Sequence, residues 1–250
     1  MSKEGEISYL KNIGPDSVRH AKEKPFSDDQ CGGLLTQLGV IMGLLPPPPA
    51  RLLDMGCGTG WTSCFFAKRG YDVVGQDIAE DMIAIARLNQ EGQKLTNLSF
   101  VVGDYEGSVF FQEFDCAVFF DALHHAVDET AALRTAYKAL KPGGICVASE
   151  PGVGHSRSAE SKEHMEKYGV TEKDMPPFAI WRVARSVGFK KYRVFPHARH
   201  LCNIVFNQAI VTNRLKFLSP VLRLPPFRIL LAFYLIIFQK RQSGLVVLVK

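Results

Sequence analysis

Three carboxylates stand at the ends of apolar runs. Asp54 follows "RLL", Asp77 closes "YDVVGQD" and Asp104 closes "LSFVVGD". Asp54 lies two residues before Gly56 in "DMGCGTGW", a G-x-G-x-G turn followed by Trp61. A glycine turn between a strand and a helix lets a ligand approach the backbone N–H groups of the helix N-terminus. A dinucleotide fingerprint, G-x-G-x-x-G, would need its third glycine where this chain has Trp61. With Asp54 in front of the turn, a ligand with a positive head is favoured over a pyrophosphate. Asp77, 21 residues after Gly56, suits hydrogen bonds from both hydroxyls of a ribose. Asp104, beside Tyr105, suits an adenine amino group. Each acid taken alone could instead cap a helix; together with the glycines they describe a socket for a nucleoside bearing a cation.

A second set of residues could move protons. "DALHHAVD" places His124 and His125 just after Asp121, Glu150 ends "GICVASE", and His155 follows in "EPGVGHS". Imidazole titrates near neutrality and can take the proton of a hydroxyl acceptor. His125 is the preferred base, with His124 and Glu150 as further catalytic candidates and His155 behind them. The plainer alternative packs an imidazole on the ligand or bonds it to a loop carbonyl, and leaves Glu150 and His155 to orient substrate. The six cysteines lie far apart, with no CxxC pair and no His/Cys cluster at zinc-finger spacing, so they read as free thiols and no metal is expected.

These groups need a scaffold that brings strand ends together. From Arg51 onward, strand patterns alternate with helical ones: strands at 51–56, 71–77, 98–104, 114–121 and 144–150, and helices at 61–70, 79–92 and 128–144, the last closed by Pro-Gly-Gly. A helix over 178–189, a strand over 190–196 and a final strand over 244–250 complete the rhythm. The expected fold class is α/β, a doubly wound and mostly parallel sheet covered on both faces, with ligands along its carboxyl edge. Residues 1–50 read as a helical arm or lid ending in a rigid proline linker, and residues 51–250 as one domain with insertions at about 151–177 and 198–243.

The segment 51–151 resembles the Rossmann-like class I S-adenosylmethionine (SAM) dependent methyltransferase family. "LLDMGCGTGW" is similar to the family's first motif, "VVGQD" to its acidic second and "VVGDY" to its adenine-side motif. "FDCAVFFDALHH" and "ALKPGGICVASE" resemble its fourth and fifth strands, and "SVGFKKYRVFP" with "GLVVLVK" its last two. The resemblance implies a seven-stranded sheet whose last strand is antiparallel. It also implies SAM held by Gly56, Gly58, Gly60, Asp77 and Asp104, with S-adenosylhomocysteine as product. Asp54, Cys57, Ile78, Tyr105 and Asp121 are the further cofactor-binding candidates on these motifs. In such an enzyme positioning does most of the work, because the acceptor must line up with the sulfonium methyl away from water.

Charge is divided along the chain. Residues 1–174 hold 17 Lys/Arg and all 25 Asp/Glu, a balance of −8, whereas residues 175–250 hold 13 Lys/Arg and no acid. Within this basic tail, Ile229 to Phe238 is a continuous apolar run. At 1.5 Å per residue, ten helical residues reach roughly 15 Å, about half a bilayer core, which excludes a membrane span. The run could pack on the sheet or in a homodimer, lie on an anionic membrane through residues 199–241, or cover an apolar substrate. It is too continuous for a nucleic-acid face. The N-terminus lacks an apolar stretch of the signal-peptide kind, so the expected location is cytoplasmic, with peripheral membrane contact as an option. The expected reaction is methyl transfer to oxygen of a small, sugar-linked or lipid-linked acceptor. The alternatives are an NAD(P)-dependent oxidoreductase on a similar sheet and a SAM-binding module without turnover.

Overall fold

The computed structural model describes residues 3–107, 109–205, 224–238 and 242–250. One sheet of seven strands organises them: β1 (Arg51–Met55), β2 (Asp72–Asp77), β3 (Leu98–Val102), β4 (Phe114–Phe120), β5 (Leu140–Glu150), β6 (Lys191–Phe195) and β7 (Gly244–Val249). Their order is β3-β2-β1-β4-β5-β7-β6. Strands β1 to β5 pair in parallel, and β7 runs antiparallel to both β5 and β6. This is the expected doubly wound, mostly parallel sheet with an antiparallel last strand. The order reverses at β1, where β2 and β4 flank it, so the crevice that such a reversal creates opens at the end of β1.

Burial explains why these segments are strands. The β1 residues Leu52, Leu53 and Met55 and the β4 residues Cys116 to Phe119 are wholly buried, as parallel strands covered on both faces must be. Helices α4 (Trp61–Arg69), α5 (Glu80–Gly92) and α6 (Glu129–Ala139) connect them. Helix α4 ends on Gly70 in the left-handed conformation, the stop expected from its glycine. Asp128 caps α6 by accepting the N–H groups of Thr130 and Ala131. That helix stops at Ala139, three residues before the Pro-Gly-Gly expected to close it. The next residue, Leu140, already pairs with Phe114, and Pro-Gly-Gly forms a register shift inside β5 instead. Proline biases the residue before it away from helix, which moves the boundary upstream.

The arm before the sheet is helical: α1 (Glu4–Asn12), α2 (Pro15–Glu23) and α3 (Cys31–Leu44). Helix α3 packs its Leu34, Leu38 and Ile41 into the core. Its buried Gln37 donates to Ser149 Oγ at 2.8 Å on β5 and accepts the N–H of Ala198 at 2.8 Å. The insertion after β5 carries α7 (Ala159–Tyr168), followed by α8 (Pro177–Val187), which covers the sheet beside β7.

The tail departs from one expectation. Helices α9 (Ala198–Val205) and α10 (Pro225–Phe238) touch each other. In α10, Phe227, Ile229, Leu230, Phe233, Tyr234, Ile236, Ile237 and Phe238 are exposed. Packing of this run on the chain's own sheet is therefore not what the structure shows, since its apolar residues point outward over most of the helix surface. The intervening residues 206–223 lie outside the described ones, as do 239–241. Among the described residues, no helix is long and apolar enough to cross a membrane.

Candidate functional site

The carboxyl ends of β1, β2 and β4 surround a cavity of about 730 Å³, within the range of small-molecule sites. Its floor is the glycine turn after β1. Gly56 adopts φ +73°, and a Cβ there would stand 2.6 Å from the Ala122 Cβ, so the turn passes the neighbouring loop with no room for a side chain. Gly58, at φ +53°, has open space beside it and lines the cavity. Asp77 clasps this turn. One carboxylate oxygen accepts the N–H of Gly58 at 2.8 Å and the other the N–H of Ala79 at 2.9 Å. A carboxylate offers about four acceptor positions, so Asp77 retains capacity toward the cavity, which it lines with Ile78 and Tyr105.

Three of the expected ligand contacts lie behind the wall instead. Asp54 is 1% exposed and accepts hydrogen bonds from Thr62 Oγ1 at 2.7 Å and Ser63 Oγ at 2.6 Å, so it ties β1 to α4 rather than meeting a ligand's ammonium. Burial pushes its pKa up to about 6 against the pull of those hydroxyls. Cys57 is buried, and desolvation raises its thiol well above the ordinary range. Gly60 is left-handed at the start of α4, and a Cβ would collide with Phe100 and Ala86. Its glycine is required by close packing of helix on sheet.

The remaining expected acids line the cavity with partners. Asp104 is salt-bridged to Lys3, which also reaches Glu106 at 2.8 Å. Asp121, left-handed at φ +49°, pairs with Arg199 of α9 at 2.5 Å. Both cations come from segments outside the alternating core, which is why motif reading did not find them. Lys3 belongs to the N-terminal arm, which closes over the cavity. There, Glu6 of α1 accepts the N–H of Thr171 at 2.7 Å, and Thr59 Oγ1 donates to the carbonyl of Ala21 at 2.7 Å.

The histidines meet in one corner. Glu150 is fully buried and does not line the cavity. Its carboxylate accepts the N–H groups of Ala122, Leu123 and His124 at 3.2, 2.9 and 3.2 Å and stands 2.8 Å from Nδ1 of His124. As a direct proton acceptor for a substrate it is out of reach; it positions the turn that carries both histidines. Burial raises its pKa to about 8, with Asp121 adding to the rise. His124 and His125 both line the cavity, their rings 4.0 Å apart. Burial, helped by the neighbouring His125, lowers His124 to about 3. Burial would also lower His125, but Glu6 and Glu172 outweigh it and raise that group to about 9.

Glu172 is the acid that motif reading missed. It is 8% exposed, lies 2.6 Å from Nε2 of His155 and 3.7 Å from Nε2 of His124, and its other oxygen lies 3.9 Å from Nδ1 of His164. Nothing in "VTEKDM" marks it, because it reaches the site through the insertion after β5, whose path local pattern does not set.

Comparison with known proteins agrees with this geometry. Residues 53–148 match the family model described as a methyltransferase domain. The chain is similar to the ubiquinone biosynthesis O-methyltransferase of Cereibacter sphaeroides, 37% identical over 105 residues that cover 42% of each protein. It is also similar to the protein of that name from Psychrobacter arcticus, 31% identical over 153 residues, covering 59% of this chain and 57% of the relative. The chain thus spans between about two fifths and three fifths of these relatives' length. Among solved structures, phosphoethanolamine N-methyltransferase 2 of Haemonchus contortus, in complex with phosphomonomethylethanolamine and S-adenosylhomocysteine, aligns with all of this chain and 61% of its own, at a TM-score of 0.70 and 21% identity. That likeness shows the fold.

Proposed function

We propose, from the match of residues 53–148 to the methyltransferase-domain family model, that this chain is a class I SAM-dependent methyltransferase that transfers a methyl group to an oxygen of a small or lipid-linked acceptor. One observation carries the reading: Gly56, Gly58 and Asp77 form a clasped turn at the sheet's topological switch point, open to a cavity of nucleoside size. The wall fits the cofactor, since Gly58 leaves space against the turn and Asp77 has acceptor positions for ribose hydroxyls. SAM bound there supplies an electrophilic sulfonium methyl.

The chain's own residues would then do three things. Asp77, Ile78 and Tyr105 hold and orient the nucleoside, with Asp104 and Lys3 at the arm's edge. The arm, pinned through Lys3, Glu6 and Ala21, acts as a lid that keeps water from the reacting groups. The corner of His124, His125, His155 and Glu172 faces the acceptor and receives its proton. His124, held neutral by burial, is better suited to accept that proton than His125, which Glu6 keeps charged.

The exposed apolar helix α10 supports a lipid-linked acceptor. It lies in a stretch with no acid after Asp174, so an anionic membrane surface complements it in both charge and hydrophobicity. A homodimer through the same helix is the competing occupant, and vesicle sedimentation separates the two.

Calorimetric titration of the purified chain with SAM, and then with NADH, tests the central reading. Saturable SAM binding without NADH binding is expected, followed by release of S-adenosylhomocysteine with hydroxylated acceptors. Binding of NADH alone would overturn it. Binding of SAM without turnover on any acceptor would leave the non-catalytic alternative.

A further inference from the structure

The corner around Glu172 has a chemistry that methyl transfer does not require. One donor atom from each of His124, His125 and Glu172 lies within 4.8 Å of the others, and His124 and Glu172 are almost fully buried. Each histidine has one ring nitrogen already engaged. Nδ1 of His124 stands 2.8 Å from Glu150, and Nδ1 of His125 stands 2.7 Å from the carbonyl of Thr171. Three backbone N–H groups hold Glu150 against the turn that carries both rings. The Thr171 carbonyl can only accept, so Nδ1 of His125 is its donor. Nε2 of each ring is the nitrogen left to coordinate, and in His124 it lies 3.7 Å from the same Glu172 oxygen that Nε2 of His155 reaches at 2.6 Å. Two imidazoles and a carboxylate thus converge in one buried corner.

We propose that His124, His125 and Glu172 bind a divalent transition metal of zinc's class. Two imidazole nitrogens and one carboxylate are the donor set of open zinc sites, which leave a position for water or substrate. Glu150 and the Thr171 carbonyl supply the outer shell, each fixing a tautomer and ring orientation, the arrangement that metal-binding histidines usually have. His155, 2.6 Å from Glu172, stands beside the set. The cavity gives the ion an entry path, since all three ligands line it. Harder cations such as Mg²⁺ prefer all-oxygen surroundings, so the two nitrogens select against them. The site stands on this geometry alone. Its use toward an acceptor rests on the methyl-transfer reading and replaces His124 as the proton acceptor there: with Nε2 of His124 on the ion, the Lewis acid instead lowers the pKa of a hydroxyl bound next to it.

The test is a Zn²⁺ titration of the full chain, stripped with chelator and competed against a chromogenic chelator, without SAM. One Zn²⁺ per chain is expected, with Mg²⁺ unable to displace it, and Co²⁺ should give visible d–d absorption. Glu150→Gln should weaken Zn²⁺ binding by about 10- to 100-fold, and Glu172→Gln or His125→Ala by more, with circular dichroism and thermal unfolding confirming that the variants fold. Absence of stoichiometric Zn²⁺ binding would overturn the site and leave a histidine–carboxylate hydrogen-bond cluster in its place. Zn²⁺ binding unchanged in Glu172→Gln would also overturn it. A separate SAM titration reports on the function: Zn²⁺ bound without SAM leaves the metal site standing and removes its catalytic use.

Discussion

Asp77 and Gly58 hold each other across the turn after β1, the carboxylate of one accepting the N–H of the other at 2.8 Å. This bond links the end of β2 to the loop that floors the cavity. A single side chain thereby shapes the turn and faces the cavity.

Replacement Asp77→Ala removes both functions. Unpaired ribose hydroxyls and the freed Gly58 and Ala79 N–H groups should cost SAM binding about 1–3 kcal/mol. Calorimetry measures it, and unchanged affinity would remove Asp77 from the site.

At Gly56 the backbone itself is the constraint. Gly56→Ala places a Cβ 2.6 Å from that of Ala122 in a left-handed residue. Strain of about 1–2 kcal/mol and overpacking of about 1–3 kcal/mol should lower the urea midpoint and SAM affinity together. A variant as stable as the parent would show that the loop yields.

The arm's docking depends on a close backbone approach. A Cβ on Gly5 would stand 2.2 Å from the carbonyl oxygen of Gly169. Gly5→Val should therefore detach α1, expose residues 3–23 to limited proteolysis and speed SAM dissociation. If cleavage of the arm is no faster than in the parent, the lid role fails.

Asp54 predicts a pH effect. Its folded pKa, about 6, lies above its ordinary 3.8 because burial disfavours the charge. A raised pKa contributes stability that is fully present below pH 3.8 and lost as pH rises through 6. Over that window the loss is roughly 3 kcal/mol, at 1.36 kcal/mol per unit. Asp54→Asn, which carries no charge, should therefore gain stability relative to the parent at pH 7.5 compared with pH 4. Parallel urea curves at both pH values check this, and an equal difference at each would sink the assignment.

Helix α10 predicts sedimentation with anionic vesicles and release by salt, since each Lys or Arg near such a surface adds about 1 kcal/mol. Phe233→Asp should reduce binding even at low salt. Binding that ignores salt, or a stable dimer with no vesicle affinity, would reject the membrane surface.

The core of this protein was readable residue by residue because its physics is local. Apolar runs of strand length, glycine at turns that need a left-handed backbone, and acids at strand ends specify β1 to β5, the helices between them and the cavity's floor at Gly56, Gly58 and Asp77. Short-range pattern also identified His124 and His125. Only the tertiary structure could decide which acids face the cavity, because a strand-end carboxylate turns either to it, as in Asp77, or back to a helix, as in Asp54 with Thr62 and Ser63. The same holds for Lys3, Glu6, Glu172 and Arg199. They are far from the motifs in the chain and meet them through helix docking and an insertion, contacts set by long-range packing that no local spacing encodes.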